Sequence, residues 1–309
     1  IFFNSTGTKM YIVGDSNNRV HQYTLSSAWN LSTATYDNVN LSVASEDDQP
    51  HDIFFNSSGT RMYMVGQSGD RINQFTLSSS WNLSTASSDN VNFNQKSEDS
   101  TPTGLFFNSS GTRMYIVGSA GDLVHQYTLS QAWNLSTATY DNVNLSIVLQ
   151  DNTPNAIFFN GTGTRMYIVG SAGDRVHQYS LSSAWNLSTA SYGNINFSVT
   201  SQEGTPTGLF FKDDGTKMYV IGLTNDLVHQ YTLSQAWNLS TATYDNVNFS
   251  IASQDGSSTG LFFKDDGTKM YMIGTNNDMV HQYSLSQAWN LSTATYDNVN
   301  FSIASQDGS

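Results

Sequence analysis

The sequence predicts an all-β fold, a six-bladed β-propeller built from six 52-residue blades of four strands each. Three observations predict it: a Phe-Phe pair that recurs at a constant spacing of 52, short β-branched and aromatic segments between glycine turns, and no helical periodicity. The repeats open at Phe2, Phe54, Phe106, Phe158, Phe210 and Phe262. An open β-solenoid or a sandwich array would be the alternative, but solenoid coils are usually shorter, and sandwiches need no fixed spacing.

One repeat contains four strand-like segments. Residues 104–107 form a short apolar run, and a Gly-containing turn follows. Residues 113–118 and 123–129 are rich in β-branched and aromatic residues, with a second tight turn between them. Residues 142–148 alternate apolar and polar with a period of two, as in a half-exposed strand. Four antiparallel strands per repeat are therefore expected.

The whole chain, residues 1–309, is predicted to be a single propeller. Six repeats of 52 amount to 312 residues, three more than the chain holds. The last two copies are nearly identical, which indicates recent duplication. We therefore expect this propeller to be one link of a longer array as readily as a ring that closes by itself.

Composition excludes several classes of partner. The chain carries 12 basic and 25 acidic residues, a net charge of −13, so we expect no nucleic acid or anionic membrane surface as a partner. There is no cysteine, so disulfides do not stabilise the fold. No apolar run reaches the roughly 18 residues that a membrane-spanning helix needs.

The repeat resembles a known group of propeller sequences. The segments FFKDDGTKMYVIG and DLVHQYTLS resemble the tandem repeats of YVTN-like and NHL-like propellers in bacterial, phage and environmental sequences. The resemblance covers the whole chain and implies the propeller fold. It implies little about function, because such propellers include enzymes and binding modules. The repeats lack the Trp-Asp ending of the WD type.

A tryptophan recurs once in each repeat. Its six copies are Trp29, Trp81, Trp133, Trp185, Trp237 and Trp289. A buried Trp removes roughly 150–250 Å² from water, so identical placement favours packing between neighbouring blades. Stacking on sugar rings is the alternative interpretation.

Charged and histidine positions also recur. A His in the third strand is shared by His21, His125, His177, His229 and His281, with Asn73 in the second repeat. Metal binding would need these nitrogens within about 2 Å of one point, so we interpret them as blade residues. A basic residue before Met (Lys9, Arg61, Arg113, Arg165, Lys217, Lys269) is expected to pair with the acid before the third strand (Asp70, Asp122, Asp174, Asp226, Asp278).

No cofactor is expected. Acidic loops at residues 45–49, 97–100 and 253–257 could supply oxygens to Ca²⁺, but none has the spacing of an EF-hand. Solvated turns are the simpler interpretation, and no metal site is predicted.

Fifteen Asn-X-Ser/Thr sequons are predicted N-glycosylation sites, provided that the protein is secreted. They form three columns. The first lies in the turn after Phe-Phe: Asn4, Asn56, Asn108 and Asn160. The second follows the Trp: Asn30, Asn82, Asn134, Asn186, Asn238 and Asn290. The third lies in the last strand: Asn40, Asn144, Asn196, Asn248 and Asn300. Strand alternation and turn position predict that glycans would project outward.

The sequence favours a non-enzymatic function. It contains no G-x-S-x-G, P-loop or helical His-x-x-x-His motif, and departures such as His51, Lys96, Glu46 and Glu203 form no recognisable constellation. We therefore expect an extracellular structural glycoprotein, whose partners are N-glycans and copies of itself in a fibre. An adhesive module that binds carbohydrate or protein is the alternative, and an enzyme with an axial site is a third.

Overall fold

The described residues form six antiparallel four-stranded sheets, and these constitute a six-bladed β-propeller, as predicted. The computed structural model describes residues 1–14, 16–66, 71–94, 101–254, 258–274 and 277–307. In every sheet the strands are neighbours in the order in which they follow along the chain. Each blade is therefore a simple meander whose strands are joined by short connections.

The strands of the six blades have nearly equal bounds. Blade one holds β1 (Phe2–Phe3), β2 (Lys9–Gly14), β3 (Arg19–Leu25) and β4 (Ala34–Ser42), and blade two holds β5 (Pro50–Phe55), β6 (Arg61–Gly66), β7 (Arg71–Leu77) and β8 (Ala86–Asn94). Blade three holds β9 (Pro102–Phe107), β10 (Arg113–Gly118), β11 (Leu123–Leu129) and β12 (Ala138–Ser146), and blade four holds β13 (Pro154–Phe159), β14 (Arg165–Gly170), β15 (Arg175–Leu181) and β16 (Ala190–Ser198). Blade five holds β17 (Pro206–Phe211), β18 (Lys217–Gly222), β19 (Leu227–Leu233) and β20 (Ala242–Ser250), and blade six holds β21 (Ser258–Phe263), β22 (Lys269–Gly274), β23 (Met279–Leu285) and β24 (Ala294–Ser302).

Helical structure is confined to single turns. A 3-10 turn precedes the last strand of each blade, at Leu31–Thr33, Leu83–Thr85, Leu135–Thr137, Leu187–Thr189, Leu239–Thr241 and Leu291–Thr293. One α-helical turn, α1, spans Ala304–Asp307. Within the described ranges, no helix is both long and apolar enough to cross a membrane.

The fourth strand differs from its prediction. In blade three it runs from Ala138 to Ser146, four residues earlier at its start than the predicted 142–148. A β-bulge lies where β11 meets β12, since the register shifts between Gln126 and Tyr127. Asn142 stands at this irregularity with a left-handed φ of 55°. The bulge interrupts the period-two pattern, so only the part of the strand after it was recognisable in the sequence.

The blades divide into two compact units. The first comprises Ile1–Ser97, Gly260–Ala288 and Thr295–Ser309, and the second comprises Glu98–Thr259 and Trp289–Ala294. Within the second unit, Tyr115 and Val117 of blade three pack against Phe159, Met166 and Ile168 of blade four. Each of these side chains is less than 3% exposed. The apolar cores therefore lie between neighbouring blades, and a single blade cannot bury its own faces.

Candidate functional site

Each Trp has a left-handed backbone conformation, and inter-blade stacking on a Phe is seen for Trp29, Trp81, Trp185, Trp237 and Trp289. Trp185 has a φ of 62°, unusual for a bulky residue, and its N–H donates to the carbonyl of Gly163 at 2.9 Å. Its ring stacks on Phe106 of the preceding blade, with centroids 6.3 Å apart. The hydroxyl of Tyr115, also in the preceding blade, donates to its carbonyl oxygen. This is the contact that the packing interpretation requires, and the stacked Phe occupies a ring face that a sugar would need.

The sequons in the first turn are not accessible, contrary to the expectation that a turn would project them. Asn4, Asn56, Asn108 and Asn160 are at most 6% exposed. The Oδ1 atom of Asn160 accepts from the N–H groups of Thr164 (2.9 Å) and Arg165 (3.0 Å), and its Nδ2 donates to the Thr164 hydroxyl. The amide that would carry a glycan therefore closes the turn.

The sequons after the Trp have a structural role as caps. The side-chain oxygen of Asn134 accepts from the N–H of Ser136 at 3.1 Å and from its hydroxyl at 2.8 Å, at the start of the 3-10 turn. The intervening Leu135 is 2% exposed. Asn-Leu-Ser is therefore a capping motif, since Asn satisfies otherwise free N–H groups and Leu anchors the turn.

The sequons of the last strand are the most accessible. Asn40, Asn144, Asn248 and Asn300 are exposed, and Asn196 is half-buried. The side chain of Asn40 donates to the Tyr36 hydroxyl at 2.9 Å and accepts from Arg19. Glycosylation of the fifteen sites stays a prediction, and the structure favours this column for it.

The recurring histidines are buried in the third strands. His21 is 3% exposed, and its Nδ1 lies 3.4 Å from the Tyr36 hydroxyl. Burial, assisted by the positive charge of Arg19, lowers the pKa of His21 to about 4. In the part of the chain that the structure describes, no group of three His, Cys, Asp or Glu side chains could hold a metal ion.

The predicted ion pairs have a different partner. Arg113 binds Asp141 of the fourth strand at 2.8 Å, rather than the predicted Asp122. Lys9, Arg61, Lys217 and Lys269 pair in the same way with Asp37, Asp89, Asp245 and Asp297. Asp122 instead takes a φ of 51° in the turn before the third strand, and its carbonyl accepts from the N–H of Ile147. An Asp or Asn is favoured at the position of Asp122 because both residues tolerate the left-handed backbone that this turn requires.

The loops between blades contain buried acids. Asp47, Asp151 and Glu203 occupy equivalent positions before the first strand of a blade and are 3%, 2% and 0% exposed. Asp151 accepts from the N–H of Thr153 at 2.8 Å, and Glu203 accepts from the N–H groups of Thr205 and Thr224, each at 2.9 Å. Of the proposed Ca²⁺ loops, residues 97–100 and 255–257 lie outside the described residues. In the first loop, residues 45–49, the carboxylate of Asp47 accepts a hydrogen bond from the backbone N–H of Gln49.

Room for these three acids is made by Gly66, Gly170 and Gly222, each at the end of a second strand. A Cβ at Gly170 would lie 2.3 Å from Asp151 Oδ1, and one at Gly222 would lie 2.4 Å from Glu203 Cδ. The glycines thus let a carboxylate lie directly against the sheet backbone.

Asp174 is influenced electrostatically by two of the buried acids and is the candidate reactive group. It stands in the turn before β15 with a φ of 48° and is half-buried. Burial and then the negative charges of Asp151 and Glu203 raise its pKa. The neighbouring cation, Arg175, donates instead to Asn196 at 2.6 Å. A partly accessible carboxyl with a raised pKa is the pattern of a proton-transferring group.

The surroundings of Asp174 differ from those in other blades. Val148, Leu149 and Leu223 are large apolar side chains with 48%, 91% and 49% exposure. Val148 and Leu149 lie in the loop that carries Asp151, and Leu223 follows Gly222. Blades one, five and six have Ala-Ser at the first pair of positions, blade two has Lys-Ser and blade four has Thr-Ser, while Glu203 stands where the other repeats have an aspartate. Glu203 stands out in the sequence as a departure from the repeat, but no sequence pattern links it to Asp174, which is 29 residues earlier.

A cavity lined by aromatic rings lies in the first unit. It has a volume of about 230 Å³ and is lined by Phe2, Trp29, Trp81, Phe262 and Asp265, among others. Trp29 is 9% exposed and stacks on Phe262. Because the stacked pairs fill their own faces, this cavity presents ring edges and carries no titratable pair.

Solved structures resemble the chain in fold. No protein-family model matches it, and no curated protein does. A protein of Bacteroides uniformis provisionally named 6-phosphogluconolactonase has a TM-score of 0.64 at 13% identity, over 96% of this chain and 82% of that one. The periplasmic gluconolactonase of Pseudomonas aeruginosa has a TM-score of 0.64 at 11% identity, over 94% and 78%. A chain of a nidogen–laminin complex has 0.61 at 10%, over 97% and 95%. At these identities the likeness shows the propeller fold.

The lactonase names of these neighbours contradict the prediction of a non-enzymatic fibre glycoprotein or adhesive module. The physical reason for the error lies in the repeats. Uniform repetition was interpreted as the absence of a unique constellation, whereas the loops around Asp174 combine several departures from the repeat. A propeller needs only one such loop cluster to carry chemistry.

Proposed function

We propose that the protein is a hydrolase of sugar-derived lactones, with Asp174 as the group that transfers the proton. The proposal is supported by the lactonase names of structures that share the fold. The observation that carries it is the half-buried carboxyl of Asp174, whose pKa is raised by burial and by two fully buried acids. We also propose that the repeats belong with the YVTN-like and NHL-like propellers.

Hydrolysis of a lactone needs a base and an acid in turn. Water attacks the carbonyl carbon and loses a proton, after which the ring C–O bond breaks and the ring oxygen gains a proton. A carboxylate with a raised pKa is a stronger base than an ordinary one, and its protonated form can return the proton to the ring oxygen. Asp151 and Glu203 are too buried to touch a substrate, so their role is to set the charge around Asp174.

The charges of the site also select the substrate. The negative charges of Asp151 and Glu203 act on Asp174, and the chain has a net charge of −13. A phosphorylated lactone would be repelled, so we expect an uncharged lactone to be hydrolysed faster than its 6-phospho derivative. The exposed side chains of Leu149 and Leu223 offer apolar surface for the ring carbons.

The test compares Asp174→Asn with the wild type in hydrolysis of glucono-δ-lactone and 6-phosphogluconolactone. Asn18 adopts the same left-handed turn in blade one, at φ 54°, so the variant is expected to keep its fold. We expect a loss of roughly 10²–10⁴-fold in kcat. Asp278→Asn, in the equivalent turn of blade six, is the matched control and should retain full activity. A wild type without lactonase activity, or an equally active Asp174→Asn, would overturn the proposal.

Export of the protein is a further part of the proposal. One neighbour is named as periplasmic, and the exposed sequons of the last strands would be available to a glycosylating pathway. Intact mass before and after removal of N-glycans tests it. A mass that falls in steps of whole glycans, and site mapping to Asn40, Asn144, Asn248 or Asn300, is the expected result.

A further inference from the structure

Five blades share a partly buried carboxylate hub, in which three side chains donate hydrogen bonds to one Asp oxygen. In blade three, Asp141 Oδ2 accepts from Arg113 at 2.8 Å, from Gln126 at 2.6 Å and from Thr128 at 2.9 Å. Equivalent donors, with Lys in place of Arg in blades one, five and six and Ser in place of Thr in blade six, surround Asp37, Asp89, Asp245 and Asp297. A cation, an amide and a hydroxyl are thus a built carboxylate-binding set.

Blade four keeps the donors and lacks the acid. The equivalent residues are Arg165, Gln178 and Ser180, while Gly193 stands where the other blades have Asp. Ser284 fills the hydroxyl position in blade six and donates to Asp297 at 2.8 Å, so serine is a sufficient donor. Among the described residues no salt bridge involves Arg165, and its Nη1 donates to the backbone carbonyl of Thr164 at 3.2 Å.

The amide of Gln178 is already oriented toward the position of the missing carboxylate. Its Oε1 accepts from the N–H of Leu239 in the next blade at 2.7 Å. Gln126 makes the same bond to Leu187 at 2.6 Å, and its Nε2 then points at Asp141. Gln178 is 2% exposed. Because its oxygen is engaged in the same way, its N–H donors face the space beside Gly193.

That space is open. Gly193 is exposed, and a Cβ built on it would meet nothing closer than Ile195, at 3.9 Å. In the other blades the Asp carboxylate at this place is 16–20% exposed, so solvent reaches it. A small ligand can therefore enter from the surface.

We propose that blade four binds a carboxylate group of a ligand through Arg165, Gln178 and Ser180, in the place that Asp occupies in the other five blades. Charge-assisted hydrogen bonds to a carboxylate are the strong class of such bonds, and Arg suits the geometry. The site is distinct from the loops around Asp174. Its ligand is either a free small acid or an Asp or Glu side chain of a peptide.

Two reciprocal variants test the proposal by acetate titration, followed by the side-chain amide resonances in ¹⁵N-labelled protein at constant ionic strength. Gly193→Asp supplies an internal carboxylate and should weaken acetate binding at least tenfold. Asp141→Gly opens the same hub in blade three and should raise the number of acetate sites from one to two. Sodium chloride at equal concentration is the control for unspecific anion effects.

Each result of the acetate titration either supports or overturns the proposed site. Saturable binding that Gly193→Asp abolishes supports the site. Absent binding in the wild type, or equal binding in Gly193→Asp, overturns it. Arg165→Met adds a second readout should Asp141→Gly fail to fold, and it should weaken acetate binding with an unchanged circular dichroism spectrum. A blocked aspartate peptide, N-acetyl-aspartyl-N-methylamide, distinguishes the sources: binding as tight as acetate indicates a peptide ligand, and much weaker binding indicates a free acid.

Discussion

The turn after the first strand depends on a glycine that lies under the Trp ring. Gly163 has a φ of 69°, and a Cβ added to it would lie 2.2 Å from Trp185 Cδ2. Replacement by alanine therefore causes two separate effects. The left-handed backbone costs a residue with a Cβ about 1–2 kcal/mol, and displacement of the packed ring costs roughly 1–3 kcal/mol more. We expect Gly163→Ala to lower the free energy of unfolding by about 2–5 kcal/mol.

Urea unfolding, followed by circular dichroism, measures this effect. Gly161, two residues earlier in the same turn, is the matched control because its backbone is not left-handed and a Cβ there meets nothing within 4 Å. Gly161→Ala should leave the free energy of unfolding unchanged or raise it by roughly 0.4–1 kcal/mol, because alanine lowers the conformational entropy of the unfolded chain. A Gly163→Ala variant within about 1 kcal/mol of the wild type would show that the ring tolerates a Cβ and refute the reasoning.

Two further predictions concern buried polar groups. The pKa of His21 is about 4 in the folded protein and about 6.5 in the unfolded chain. The unfolded state therefore binds the proton first as pH falls, so a contribution of at most about 3 kcal/mol is present above pH 6.5 and lost toward pH 4. His21→Asn, which copies Asn73 of blade two, should flatten this pH dependence in unfolding titrations; an unchanged slope would contradict it. Tyr167→Phe leaves the carbonyl of Trp237 without its donor at 2.7 Å and should cost about 1–3 kcal/mol in urea unfolding, and a neutral result would show that water replaces the hydroxyl.

The fold could be predicted because it depends on features that recur. A constant spacing of 52, with the same turn glycines and the same Trp, leaves few architectures. The first three strands of blade three overlap their predicted segments, since β10 and β11 begin and end as expected. The start of β12 could not be placed, because the left-handed Asn142 breaks the alternation on which the prediction depended.

The repeat spacing and the strand periodicity did not predict which distant residues contact one another. Arg113 pairs with Asp141, 28 residues later, because of the register of β10, β11 and the bulged β12. The nearer Asp122 was the obvious partner by sequence, but the turn uses it for its backbone conformation. Likewise, Asn108 stands in a turn and is nonetheless 5% exposed, because its amide closes that turn. Accessibility of a turn residue cannot be inferred from its position alone.

A position at which one blade departs from the repeated residue gives information about function. In five blades a Gln, a cation and a hydroxyl bind an Asp carboxylate. These blades therefore define the position that is vacant beside Gly193 in blade four. In the same way, the tolerance for Asn18 in one turn shows that the carboxyl of Asp174 is not required for the backbone there. Burial and the charges of Asp151 and Glu203 raise the pKa of this residue, which the fold does not require, and both facts support the proposed proton-transferring role. The equivalent position in another blade is therefore the natural control for each substitution in this chain.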